Sequence, residues 1–188
     1  MYQTKTLKEK IRLFMIILIP ILITQVSMYA MNFFDTIMSG RAGAADLAGV
    51  AIGSSLWVPV QMAIVGILMA MSPIVAQLTG ANEEEKIPFT VQQGIYLSLG
   101  LGVVVTLIGA FLIDPILSLM DLEDRVQHVA KYYIISIGLG MIPLFVYNLL
   151  RSYIDGLGHT RISMAIILIS LPLNILFNYI FIFGKLGL

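Results

Sequence analysis

The sequence predicts an all-α integral membrane protein with about five transmembrane helices. Three observations carry this. Fifty-nine per cent of the 188 residues are hydrophobic and only 12% are charged, about half the charge that a water-facing domain carries. Mean hydropathy is +0.94. Five apolar stretches reach the roughly 20 residues a helix needs to cross a bilayer, and the short alternating segments of a β-barrel are missing.

The spans fall at about 13–38, 47–78, 89–113, 130–154 and 162–183. The first is too long for a signal-peptide core and has no clear small-residue cleavage site, so it is expected to be retained. The connections are "GRAGAAD" (40–46), "TGANEEEKIP" (79–88), "DPILSLMDLEDRVQH" (114–128) and "DGLGHTR" (155–161). Each carries Gly, Pro or charge, as a helix boundary should. Zero net charge points to no nucleic-acid partner, and the lack of cysteine excludes disulfides and thiolate chemistry.

Basic residues set the expected orientation. Lys5, Lys8, Lys10 and Arg12 precede the first span and argue for a cytoplasmic N-terminus. Alternation adds Lys86, Arg151 and Arg161 inside and leaves Arg41, Arg125, Lys131 and Lys185 outside, a split of seven to four. The chain stops at "FIFGKLGL", where a short exterior loop would begin. Five helices without an internal repeat suggest an incomplete chain, with more helices missing.

Polar residues inside the spans are the candidate functional groups. At 3.6 residues per turn, Gln25, Met28, Tyr29, Asn32, Asp35, Thr36 and Ser39 form one stripe on the first span. Intramembrane polar groups face a bundle interior or a wet cavity, so the stripe points Asp35 inward. Pro20 removes a backbone hydrogen bond and can bend that helix. On the fifth span Ser163, Ser170, Asn174 and Asn178 recur at steps of seven, four and four. The two carboxamides lie one turn apart, at the depth of Asp35. An Asp and two Asn at one level make a candidate proton or Na⁺ site, because carboxamides donate to a carboxylate or offer oxygens to a hard cation. The competing reading makes the Asn pair interhelical glue and lets Asp35 snorkel to the interface.

Other features read as structural. Gly94, Ser98, Gly102, Thr106 and Ala110 form a ridge of small residues on the third span, a close-packing face for a neighbour. Pro59, Pro73, Pro143 and Pro172 place helix breakers in or near further spans. Arg151 and Asp155, one turn apart, form an ion pair or cap helix ends, with gating as the alternative. His128 and His159 sit in loops without companion ligands, so no metal centre is indicated beyond a Na⁺ at the Asp35 level. No Ser-His-Asp set, phosphate loop or HExxH motif appears at a membrane-compatible position, so no enzyme is indicated and no cofactor is expected.

Four segments together carry a family resemblance: "PILITQVSMYAMNFFDTIMSGRAGAADLAGVAIGSSLW" (20–57), "SPIVAQLTGANEEEK" (72–86), "RSYIDGLGHTRISM" (151–164) and "LPLNILFNYIFIFGKLGL" (171–188). With the D-T-x-M-x-G pattern from Asp35 and the N-x-x-x-N-Y-x-x-x-F-G-K-x-G pattern from Asn174, the chain resembles the N-terminal part of multidrug and toxin extrusion (MATE) transporters, especially the bacterial NorM-like branch. The resemblance implies most of the N-terminal lobe of a twelve-helix transporter that exchanges amphipathic or cationic drugs for Na⁺ or H⁺ across the cell membrane. It implies too that Asp35, Asn174 and Asn178 fall on the cation or proton cluster of that lobe. Asp155 and the Gly184–Lys185 pair also match family positions. The sixth helix of that lobe and the whole C-terminal half would be missing. An alternative within transport is a lipid-linked oligosaccharide flippase of the wider superfamily, for which a more basic cavity is expected. No span carries a mid-depth Lys or Arg. From another class, a membrane scaffold without substrate would tolerate Asn or Ala at Asp35.

Overall fold

Thr6 opens the first helix with a capping box: its hydroxyl accepts from the Glu9 backbone N–H, and the Glu9 carboxylate accepts from the Thr6 N–H. The computed structural model describes residues 6–182. Helix α1 runs Leu7–Ala42, and Gly43 alone separates it from α2, Ala44–Leu68. Then come α3 (Met71–Gly80), a 3₁₀ turn (Glu84–Lys86), α4 (Ile87–Ser118), α5 (Asp124–Gly156) and α6 (Thr160–Ile182). Five segments among the described residues are long and apolar enough to cross a membrane, with α2 and α3 counting as one.

Two expectations need correction. The second span is two helices, broken at Met69 and Ala70. Pro73 has no N–H to offer the Met69 carbonyl four residues back, so Ser72 donates to it instead over a tighter turn. The connections are also shorter than expected. The helix α4 runs through Asp114 and Pro115, and α5 begins at Asp124, leaving residues 119–123 as the loop. Asp114 is helical, and its carboxylate meets Lys131 of α5 at 2.6 Å. At the same end Arg125 of α5 reaches Asp46 of α2 at 3.3 Å.

Helix ends follow local chemistry. Both α3 and α5 close with a Schellman pattern. Asn82 (φ 58°) and Gly158 (φ 80°) take the left-handed position. The next N–H groups, of Glu83 and His159, bond back to Leu78 and Ile154.

The helix α5 is the hub. It packs against α2, α3 and α4, and more lightly against α6, whereas α6 packs chiefly on α1. The main core, Trp57, Leu68, Met71, Val75, Ile87, Met141, Phe145 and Leu149, surrounds α5. A smaller cluster of Ile113, Leu117 and Ala130 seals the other end of the α4–α5 pair. The small-residue ridge does what its spacing implies over most of its length. Gly94, Ser98 and Gly102 are buried, and Thr106 donates across to the Gly138 carbonyl of α5 at 3.2 Å. Ala110 is exposed, so the ridge ends at Thr106.

Candidate functional site

Asp35 lies in the penultimate turns of α1 and is partly buried against α6. The Asn178 carboxamide nitrogen donates to Asp35 Oδ1. The same nitrogen lies 3.5 Å from Asn174 Oδ1, at the limit of a hydrogen bond. The three residues paired by sequence depth are thus brought together, joined across 143 residues of chain. In this arrangement one NH₂ group sits between two oxygens, one anionic and one neutral. That is the position a bound cation or shared proton would take. A half-turn of the Asn178 carboxamide would present its oxygen instead, gathering three oxygens from two helices. The donor set therefore suits a small hard cation as well as a proton.

The rest of the α1 stripe does not join the Asp35 contact. Gln25, Tyr29, Asn32 and Thr36 are exposed, and two of them bond only their own helix. Asn32 donates to the Met28 carbonyl at 3.1 Å and Thr36 to the Asn32 carbonyl at 2.8 Å. The stripe is about 120° wide at 100° per residue, and only its Asp35 margin meets α6. Among the described residues of α1 the buried polar groups are Thr24 and Ser27, which sequence reasoning missed. Their signal was the spacing with buried Pro20, whose carbonyl accepts the Thr24 hydroxyl at 2.8 Å. The helix α1 is continuous through Pro20.

A second polar cluster sits at the other end of α6. Arg151 Nε approaches Asp155 Oδ2 at 3.7 Å, and Ser163 donates to Asp155 Oδ1 at 2.8 Å. Arg151 Nη1 also lies 3.4 Å from the Met28 sulfur. Arg151 and Asp155 therefore tie α5 to α1 and α6, as a structural pair would. Ser163 belongs to this cluster, and Ser170 donates to its own helix at Ile166, so neither joins the Asn pair. Another missed pair, Ser54 and Tyr133, bridges α2 and α5 at 2.9 Å. Lys185 and Gly184 lie outside the described residues.

Comparison with known proteins adds identity to this geometry. The MatE family model matches residues 20–180. A "probable multidrug resistance protein NorM" of Oceanobacillus iheyensis is 59% identical over 188 residues, covering all of this chain and 42% of that relative. Its namesake in Bacillus subtilis is 52% identical over the same length, again with 42% of the relative covered. The chain thus spans about two fifths of the length of these curated relatives. Among solved structures, an outward-facing multidrug resistance MATE family transporter of the MOP superfamily superposes with a TM-score of 0.86 at 23% identity. The match covers 92% of this chain and 38% of that one. A MOP superfamily transporter from Pyrococcus furiosus gives 0.85 at 23% identity, with the same coverage. At that identity the likeness is one of fold.

Proposed function

We propose that this chain, which belongs to the MatE family, forms one membrane domain within a longer ion-coupled multidrug efflux antiporter of the cell membrane. Amphipathic or cationic drug-like molecules leave in exchange for Na⁺ or H⁺. The observation that carries this reading is the hydrogen bond from Asn178 of α6 to Asp35 of α1.

The chemistry follows from what each coupling ion would do to that bond. A proton on Asp35 turns an acceptor oxygen into a donor, and Na⁺ repels an NH₂ group and attracts carbonyl oxygen. Either ion thus disfavours the present donor pattern and asks the Asn178 carboxamide to turn. The α1–α6 contact then has two arrangements with different ion affinity. Coupling requires this differential affinity. The exposed amides and hydroxyls of Gln25, Tyr29, Asn32 and Thr36 supply a wettable wall beside the pair, along which drugs and ions would pass.

The test is a double-mutant cycle on drug efflux by the transporter that contains this chain, run across pH with and without sodium. Asn178→Ala is expected to lower ion-driven efflux by about tenfold and to shift its pH or Na⁺ dependence. Asn174→Ala should do so more weakly, given its longer contact. Adding either to Asp35→Asn should cost little beyond Asp35→Asn alone, because groups acting as one unit are non-additive. Strict additivity with unchanged ion dependence would return the pair to helix packing, where a membrane hydrogen bond averages about 0.6 kcal/mol.

The orientation has its own check. The basic-residue balance puts the N-terminus in the cytoplasm. In this cysteine-free chain, Ser118→Cys, at the end of α4, should react with an impermeant maleimide on intact cells. Glu84→Cys, in the 3₁₀ turn, should react only after permeabilisation. The reverse pattern would invert the topology.

A further inference from the structure

Between the first turns of α1 and the start of α6 lies a groove of about 340 Å³ that has no part in the Asp35 site. Arg12 of α1 and Arg161 of α6, each near the start of its helix, line it together with Met15, Ile19, Ile23 and Met164. Neither arginine makes an ion pair or hydrogen bond with another described residue, whereas Arg125 and Arg151 both face carboxylates. Lys8, one turn before Arg12, adds to this positive charge on the same face of α1.

Position around the helix says what this groove faces. Arg12 is about 160° around α1 from Met28, the residue that touches Arg151 of the hub helix. The groove therefore opens on the flank of the α1–α6 pair that points away from α5. That flank is Ile and Met, while the opposite flank holds Gln25, Tyr29, Asn32 and Thr36. Met15 and Ile19 remain substantially exposed there, as residues in contact with acyl chains would be.

We propose that this groove binds an anionic phospholipid, with Arg12 and Arg161 holding the phosphate and the acyl chain lying on Met15, Ile19, Ile23 and Met164. Charge and shape both select this occupant. Two guanidinium groups that pair with no carboxylate among the described residues supply two positive charges to a phosphodiester. The apolar lining beside them runs along the membrane normal, where a lipid tail already lies. Basic pockets between transmembrane helices at the cytoplasmic end recognise acidic head groups in this manner. Because the groove joins α1 to α6, an occupied site would also brace the pair that carries Asp35 and Asn178.

The transporter that contains this chain, purified and equilibrated with equal amounts of phosphatidylglycerol and phosphatidylcholine, tests this by native mass spectrometry of retained lipid. The wild type should retain phosphatidylglycerol preferentially. The Arg12→Gln/Arg161→Gln variant should lose that preference by about fivefold per arginine, while Arg12→Lys/Arg161→Lys should keep most of it. Lys131→Gln, at the opposite end, should leave it unchanged. Circular dichroism verifies that each variant keeps its helicity. Equal retention of the two lipids by the wild type would overturn the proposal, as would unchanged preference in the glutamine variant. Equal loss in the lysine variant would also overturn it, tracing the effect to packing and not to charge. Displacement of phosphatidylglycerol by excess inorganic phosphate would assign the site to free phosphate instead.

Discussion

Asp35→Asn in the complete transporter should abolish ion-driven drug export, on the order of 100-fold, while leaving membrane insertion intact. The substitution keeps the size of the side chain and a carbonyl oxygen for Asn178 to donate to. It removes the ability to carry a negative charge. Without that charge, neither proton uptake nor Na⁺ neutralisation changes the α1–α6 contact, so the ion gradient has nothing to act on. Coupling free energies span about 5–150-fold in affinity, and losing the one ionisable member should forfeit most of that range. The measurement is ethidium export under an imposed pH or Na⁺ gradient, with equal protein in the membrane for wild type and mutant. Export at the wild-type rate would sink the proposed role of Asp35.

The second large effect is expected far from the site, at Gly156. A Cβ built there would lie 2.6 Å from the Ser72 carbonyl oxygen and 3.0 Å from its Cα. These are backbone atoms of α3, just after the break in the second span, and they cannot swing aside as a side-chain tip can. Gly156→Ala must therefore push α3 off the hub helix. Overpacking of this kind costs about 1–3 kcal/mol. Gly100→Ala is the matched control, since nothing lies within 4 Å of its Cβ position, and Ala favours the helix by about 1 kcal/mol. Thermal unfolding in detergent, followed by the fluorescence of buried Trp57, should separate the two variants in opposite directions. Equal melting temperatures would mean the α3–α5 contact relaxes freely.

Much of this architecture was legible because the bilayer imposes a length and a polarity on each helix. The five apolar segments follow from length and hydropathy, the ridge from Gly94 to Thr106 from periodicity, and the shared depth of Asp35 and Asn178 from the alternation of the spans. The break at Met69–Ala70 did not, because hydropathy stays high through it and Pro73 alone marks it. The helical state of Asp114 and Pro115 was hidden by the distant Lys131 that compensates the charge. The polar stripe of α1 was recognised as a face, but a period cannot say which margin of a 120° face meets a partner. The packing of α6 brings Asp35 to Asn178 and leaves Asn32 and Thr36 bonded to their own helix.

The pairing of the first described helix with the last has a consequence in time. Asp35 and Asn178 are separated by 143 residues, and ribosomes add about 5–20 residues per second. Asp35 thus emerges roughly 7–30 s before its partner exists. During that interval α1 has the flank of α2 and later the Arg151 contact of α5 to lean on, and its carboxylate must be tolerated by lipid, water defects or the insertion machinery. A carboxylate close to the end of α1, and not at its middle, is the position that makes such a wait survivable.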